Sequence, residues 1–448
     1  RRDKFATANP LRRTRRLASS RSKLMSDIHR RTFLAGATAA TVAMAAGRTT
    51  RAAAANDTVV LALMGANSRG SQLAVEFAKQ KGAEIAYVCD CDERAIEKGI
   101  AAATANGGRR PNGIKDFRQA LDDPAVDGLI CAAPNHWHAA ATILACAAGK
   151  HVYVEKPVSH TPEEGERMIA AARAANRAVQ VGLQRRSGSL YRTVIDRVRD
   201  GSIGRVLFAR STYFADRPSI GRGKQTSVPS WLDYDLWQGP APERPYRDNV
   251  VHYNWHFFWH WGNGELANNG VHTIDICRWA LGVDFPSRVT AAGAKLRYDD
   301  DQETPDTCSV TFDCDGRTMV WEGVSWSRAH GSSSQINIEL RGENGTLVVD
   351  DGGFVIVDRA GKELERGNGS RGDDEHARSF LDSVRNGSRP SCDVEEGHKS
   401  TMFCHLGNIA YRTGQSLEVD PTNGHILNKS VAEAFWGREY RKGWMPDV

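Results

Sequence analysis

Apolar residues along this chain fall into short runs separated by helix-length amphipathic stretches. Thr58 to Met64 forms the first run, and Arg69 to Lys81 has the spacing of a helix. Glu84 to Cys89 follows as a second strand and ends at Asp90. Val126 to Ala132 is a further strand, with a helix near His138 to Ala148. His151 to Val154, a helix over Pro162 to Ala175, and Ala178 to Leu183 close the series. Apolar strands alternating with helices predict a parallel sheet covered on both faces. Beyond residue 184 the pattern changes. Val206 to Tyr213, Ser287 to Tyr298, Thr307 to Asp313, Thr318 to Trp326, Gln335 to Arg341 and Gly345 to Val349 read as strands. Asn344-Gly345 is a turn signal between two of them.

A chain of 448 residues is too long for one core, so at least two domains are expected. The net charge of +5 is unevenly placed. Residues 1–55 hold 13 of the 59 Lys/Arg and two of the 54 acids, which leaves the rest of the chain mildly acidic, at −6. Such a body has no electrostatic footprint for nucleic acid. After residue 55 no apolar run is long enough to span a bilayer.

The basic segment reads as a targeting signal. Arg30-Arg31 precedes Phe33-Leu34, an Ala-rich stretch runs to Gly47, and Ala53-Ala54-Ala55 offers small residues for cleavage. Residues 25–55 thus resemble a twin-arginine signal, with Met25 as the expected start. Export of a folded protein to the periplasm follows, with the export machinery as a partner. Nine cysteines in scattered positions, without a CxxC pair, read as small buried hydrophobes.

Candidate chemistry starts at the turn after the first strand, Gly65-Ala66-Asn67-Ser68-Arg69-Gly70. A dinucleotide turn needs glycines for its tight bend, for pyrophosphate approach and for helix packing. Gly65 and Gly70 supply the outer two, and Asn67, a residue tolerant of positive φ, stands at the middle position. Asp90, at the end of the second strand, can accept both ribose hydroxyls, which favours NAD. Arg94 leaves NADP open.

Two further segments end strands: Ala133-Pro134-Asn135-His136-Trp137-His138 and Val154-Glu155-Lys156-Pro157. With them the chain resembles, from residue 57 onward, the glucose–fructose oxidoreductase/inositol dehydrogenase (Gfo/Idh/MocA) family, whose signature is Glu-Lys-Pro. The resemblance implies a Rossmann domain over residues 56–183. It implies a substrate and oligomerisation domain over 184–448, of α+β class with a large, mostly antiparallel open sheet. It also places Pro134, Asn135, His138, Glu155 and Lys156 beside the cofactor, and implies a homo-oligomer, dimer or tetramer.

By the same resemblance the stretch Gly262–Asp275 carries the base. Family members often have Asp and His four residues apart there; this chain has Asn268 and His272. Residues i and i+4 share a helix face. An amide can orient the ring without stabilising an imidazolium, so His272 is either a weaker base or relies on another acid, Asp275 or Glu265. Lys156, at the carboxyl end of a parallel strand, is placed to hold a substrate oxygen. The aromatic run Tyr253–Trp261, with Trp237 before it, suits stacking on sugar rings or plain packing. Trp237, Trp255, Arg185 and Asp275 are therefore candidate substrate contacts. His256 and His260 lie four apart, but no third ligand is evident, and no metal is expected.

The expected activity is hydride transfer between a nicotinamide cofactor, held tightly, and a secondary hydroxyl of a sugar, sugar derivative or cyclitol. An NAD-dependent glycosidase acting by transient oxidation and elimination is the alternative. A non-catalytic sugar- or cofactor-binding protein is a second.

Overall fold

The structure is a computed structural model that describes residues 58–329, 334–350, 352–428 and 434–444. The leader and its twin-arginine reading lie outside the described residues.

The first sheet is built from β1 (Val59–Met64), β2 (Ala83–Cys89), β3 (Asn112–Ile114), β4 (Gly128–Cys131), β5 (His151–Val154) and β6 (Val179–Val181). All neighbours pair in parallel, in the order β3-β2-β1-β4-β5-β6. This is the doubly wound Rossmann order, and its switch point falls between β1 and β4. Alternation along the strands explains the two covered faces. Leu61 and Leu63 pack with Leu73 and Phe77 of the helix Arg69–Ala78, while Ala62 and Met64 join the core containing Ile143 of the helix Asn135–Ala147. Part of the first face is covered from far along the chain. Ala377, Phe380 and Leu381 of the helix Asp373–Asn386 pack into the same cluster as Phe77 and Tyr153.

The second sheet has nine strands: β7 (Val206–Phe214), β8 (Arg288–Ala294), β9 (Thr307–Cys314), β10 (Arg317–Val324), β11 (Ile336–Gly342), β12 (Gly345–Asp350), β13 (Gly353–Asp358), β14 (Glu363–Gly367) and β15 (Leu417–Glu418). Their order is β14-β13-β12-β11-β7-β10-β9-β8-β15. Only β7 and β10 run parallel. The helices Ser189–Arg199, Val271–Leu281 and Val394–Thr413 pack against this sheet. Together the two sheets form the α/β Rossmann plus mostly antiparallel architecture that the sequence predicts.

All nine cysteines are free, and all but Cys91 are buried. Among the described residues, no helix is long and apolar enough to cross a membrane.

Candidate active site

A cavity of about 420 Å³ opens at the carboxyl end of the first sheet. It is lined at one end by the glycine turn and Asp90, and at the other by Lys156, Asn268, Asn269 and His272.

The turn needs its glycines for steric reasons. Gly65 adopts φ +82°, and a Cβ there would lie 2.7 Å from the Ala132 carbonyl carbon. A Cβ on Gly70 would lie 1.8 Å from the Gly65 carbonyl oxygen. The positive φ expected of Asn67 falls instead on Ser68, at 42°. Asn67 lines the cavity and its side-chain oxygen accepts from Lys98 at 3.3 Å. Asp90 accepts from the backbone N–H of Ala66 at 2.7 Å and of Asp92 at 2.9 Å, so it anchors the turn from below. Burial pushes its carboxyl above the usual range, against those two donors. Arg94, the residue that left NADP open, is committed elsewhere. It pairs with Asp92 at 2.9 Å and lies 3.4 Å from the centre of the Trp231 ring.

Arg69 lines the cavity, but its guanidinium is spent on Glu155 at 2.9 Å and Asp373 at 3.2 Å. Burial of Glu155 opposes ionisation, yet Arg69 and Lys156 hold its carboxyl below the ordinary value. Pro134 precedes the helix Asn135–Ala147, and Asn135 reaches across to the Asn263 side chain at 3.0 Å instead of capping. His138 is buried, with one ring nitrogen 2.7 Å from the Pro157 carbonyl and the other 2.8 Å from that of Ala133. It ties the loop after β4 to the loop after β5.

Lys156 donates to the Asn268 carbonyl at 2.6 Å, and the Asn268 side-chain oxygen lies at 3.5 Å. An ammonium has three donors, and with two directed at Asn268 one remains for a ligand. Burial lowers its pKa, with Glu155 opposing. Asn268 and Asn269 lie in a π-helical turn, Leu266–Gly270, that leads into the helix Val271–Leu281 bearing His272. A π turn inserts extra backbone, and such turns recur at functional sites. Here it brings both asparagines to the cavity wall. His272 is pulled well below its ordinary value, first by burial and then by Lys156. Its Nδ1 is buried without a partner among the described residues.

Neither acid proposed to assist His272 touches it. Asp275 is fully buried, paired with Arg186 at 2.8 Å and bonded to Ser400 at 2.5 Å. Glu265 instead holds the asparagine amides. Asp275 and Arg185 are accordingly absent from the cavity lining, which corrects their expected substrate contact; Arg185 lies buried over Tyr191. Trp237 and Trp255 do line the cavity. His256 and His260 turn to different partners, the carbonyls of Tyr253 and Pro242. Sequence reasoning missed Asn269 and His252 as lining residues and noted Tyr253 only as the start of the aromatic run. Only the adjacent Asn268-Asn269 pair offered a signal.

Residues 59–183 match the model described as oxidoreductase family, NAD-binding Rossmann fold. Residues 219–446 match that of the same family's C-terminal alpha/beta domain. The chain belongs to the Gfo/Idh/MocA oxidoreductase family. Family membership and the glycine cradle agree that NAD is the cofactor: Gly65 and Gly70 leave backbone open where a side chain would clash, and Asp90 stands at the end of β2.

Among Gfo/Idh/MocA relatives, levoglucosan dehydrogenase of Pseudarthrobacter phenanthrenivorans is 27% identical over 271 residues, covering 56% of this chain and 62% of the relative. A glycosyl hydrolase family 109 protein of Shewanella pealeana is 26% identical over 182 residues, covering 40% of each chain. The chain thus spans about 40–60% of the length of these relatives. The solved structure of a levoglucosan dehydrogenase in complex with NADH superposes with a TM-score of 0.64 at 20% identity. That superposition covers 81% of this chain and 99% of the other.

Proposed function

We propose that this protein is an NAD-dependent oxidoreductase that interconverts a secondary hydroxyl and a ketone on a sugar, sugar derivative or cyclitol. One observation carries the reading: Lys156, Asn268 and His272 line the same cavity as the dinucleotide turn and Asp90.

When bound, NAD supplies the hydride acceptor. Gly65 and Gly70 would leave room for its pyrophosphate at the start of the helix Arg69–Ala78, and Asp90 would hold its ribose. His272, neutral because burial and Lys156 hold its pKa down, takes the proton of the substrate hydroxyl as the carbon gives up its hydride. Lys156 keeps one N–H donor free and presents it to the same oxygen, stabilising the negative charge that develops there. Trp255 offers apolar surface for a sugar ring, and Trp237, buried and stacked on Tyr234, adds to the same wall. A levoglucosan dehydrogenase relative supports a carbohydrate substrate.

Contacts from residues 231–252 to the loop after β2 support tight retention of the cofactor. The Trp231 carbonyl accepts from the Glu93 N–H at 3.2 Å, Asp233 N–H donates to the Cys91 carbonyl at 2.9 Å, and His252 lies 2.8 Å from Asp92. These bonds cross the end of β2 beside Asp90. The Arg30-Arg31 motif supports export through the twin-arginine route to the periplasm. Homo-oligomerisation, as dimer or tetramer, is proposed from family membership.

Incubation with NAD and a sugar panel, monitoring reduced nicotinamide absorbance, tests the reading. Net NADH formation with at least one sugar is expected. Cleavage of aryl glycosides without net NADH would replace it with the glycosidase alternative, and neither outcome would leave a binding protein.

A further inference from the structure

Glu265 is a buried carboxylate that the mechanism above does not use. It is 3% exposed, and its two oxygens face different partners. One oxygen lies 2.5 Å from the Arg217 guanidinium and 3.7 Å from His256. The other accepts from the side-chain nitrogen of Asn269 at 2.6 Å, with that of Asn268 at 3.5 Å. Burial opposes its charge, but His256 and Arg217 together hold its pKa at about 2.

This arrangement decides how the two amides face. An ionised carboxylate only accepts, so both asparagines must turn their NH₂ groups toward Glu265. Lys156, which only donates, sits on the opposite side of Asn268, 3.5 Å from its amide oxygen, and demands the same orientation. Asn269 has no such second partner among the described residues, yet it lines the cavity. With its nitrogen tethered, its side-chain oxygen is left without a partner among the described residues, on a residue that lines the same cavity as Lys156 and His272.

We propose that Asn269 is a substrate-specificity residue, accepting a hydrogen bond from a hydroxyl next to the reacting carbon, and that Glu265 is the positioning residue that fixes its amide. The inference rests on the sugar-oxidoreductase reading and adds a second polar contact to it. A substrate then needs a neighbouring hydroxyl donor. The Arg217–Tyr253 bond, at 2.6 Å, links the positioning group to the loop at the cavity mouth.

The test uses NADH-loaded protein and three probes: levoglucosan, D-glucose and myo-inositol. Saturation-transfer NMR gives the affinity of each sugar, and fluorescence titration gives that of NADH. Asn269→Ala should weaken the bound sugar roughly tenfold, the worth of one hydrogen bond, while NADH affinity is unchanged. Glu265→Gln should weaken the sugar to a similar degree, and the double variant should be no worse than Asn269→Ala alone. Unchanged sugar affinity in Asn269→Ala overturns the inference, as do additive losses in the double variant. If Glu265→Gln does not fold, the Asn269→Ala result decides alone. Wild-type protein that binds NADH but none of the three sugars overturns the parent reading as well.

Discussion

Lys156 and Asn268 are joined by a 2.6 Å hydrogen bond from the ammonium to a backbone carbonyl, and that bond ties the end of β5 to the π-helical turn. The contact is to the main chain. A side chain at position 268 is therefore free to vary without loss of this main-chain anchor. What varies with that side chain is the charge felt by Lys156 and His272.

Adding the charge back should be visible in a pH profile. Asn268→Asp places a carboxylate beside Lys156 and near His272. The acidic limb of kcat/KM should move to higher pH by about one unit, because a nearby anion favours imidazolium. An unmoved limb would mean that position 268 does not sense His272.

In the wild-type protein both limbs should be displaced toward acid. His272 acts as a base when neutral, and its pKa lies well below the ordinary 6.5, so activity is kept as pH falls through 6.5 and is lost only further down. Lys156 acts as an ammonium, and its pKa lies below the ordinary 10.5, so activity falls as pH rises through that lowered value. Initial rates at saturating NAD between about pH 5 and 10 check both limbs.

Lys156→Met keeps the apolar stem and removes the donor. A fall in kcat/KM of about 10²–10³-fold is expected, with the NADH dissociation constant changed by less than about threefold. A large loss of NADH affinity would make the lysine a cofactor ligand first.

Asp90→Ala removes the acceptor for the N–H groups of Ala66 and Asp92 as well as the ribose partner. NAD affinity should fall at least about tenfold, and the melting temperature should also drop, because two backbone donors lose their partner. Asp90→Asn keeps one acceptor and should retain more of the stability than of the affinity. Equal losses in both variants would contradict the anchoring role.

Five of the six strands of the first sheet were legible because they are short apolar runs set between amphipathic helices, and β5 falls on His151–Val154 as the pattern predicts; the edge strand β3, Asn112–Ile114, was not, because Asn-Gly-Ile carries no apolar run. The helix Val394–Thr413 was not, because it is buried on nearly every side and carries His398, Ser400, Thr401, His405 and Asn408 in the core. Two of those polar groups meet distant partners: Ser159 lies 3.1 Å from His405, and the Asn263 carbonyl accepts from Asn408 at 2.9 Å. Such contacts leave no periodic trace. At the site, Glu-Lys-Pro and the glycine turn were readable from local sequence. The commitment of Asp275 to Arg186 was not, since it joins residues 89 positions apart. Nor was the π turn, which breaks the four-residue spacing on which the Asn268–His272 pairing was reasoned.

The proposed reaction removes a carbon-bound hydrogen from the sugar for good. A sugar deuterated at the reacting carbon, incubated with NAD and the purified protein, should yield deuterated NADH and the corresponding ketone in equal amounts. Deuterium retained in a hydrolysed glycoside product, with no NADH accumulating, would contradict it.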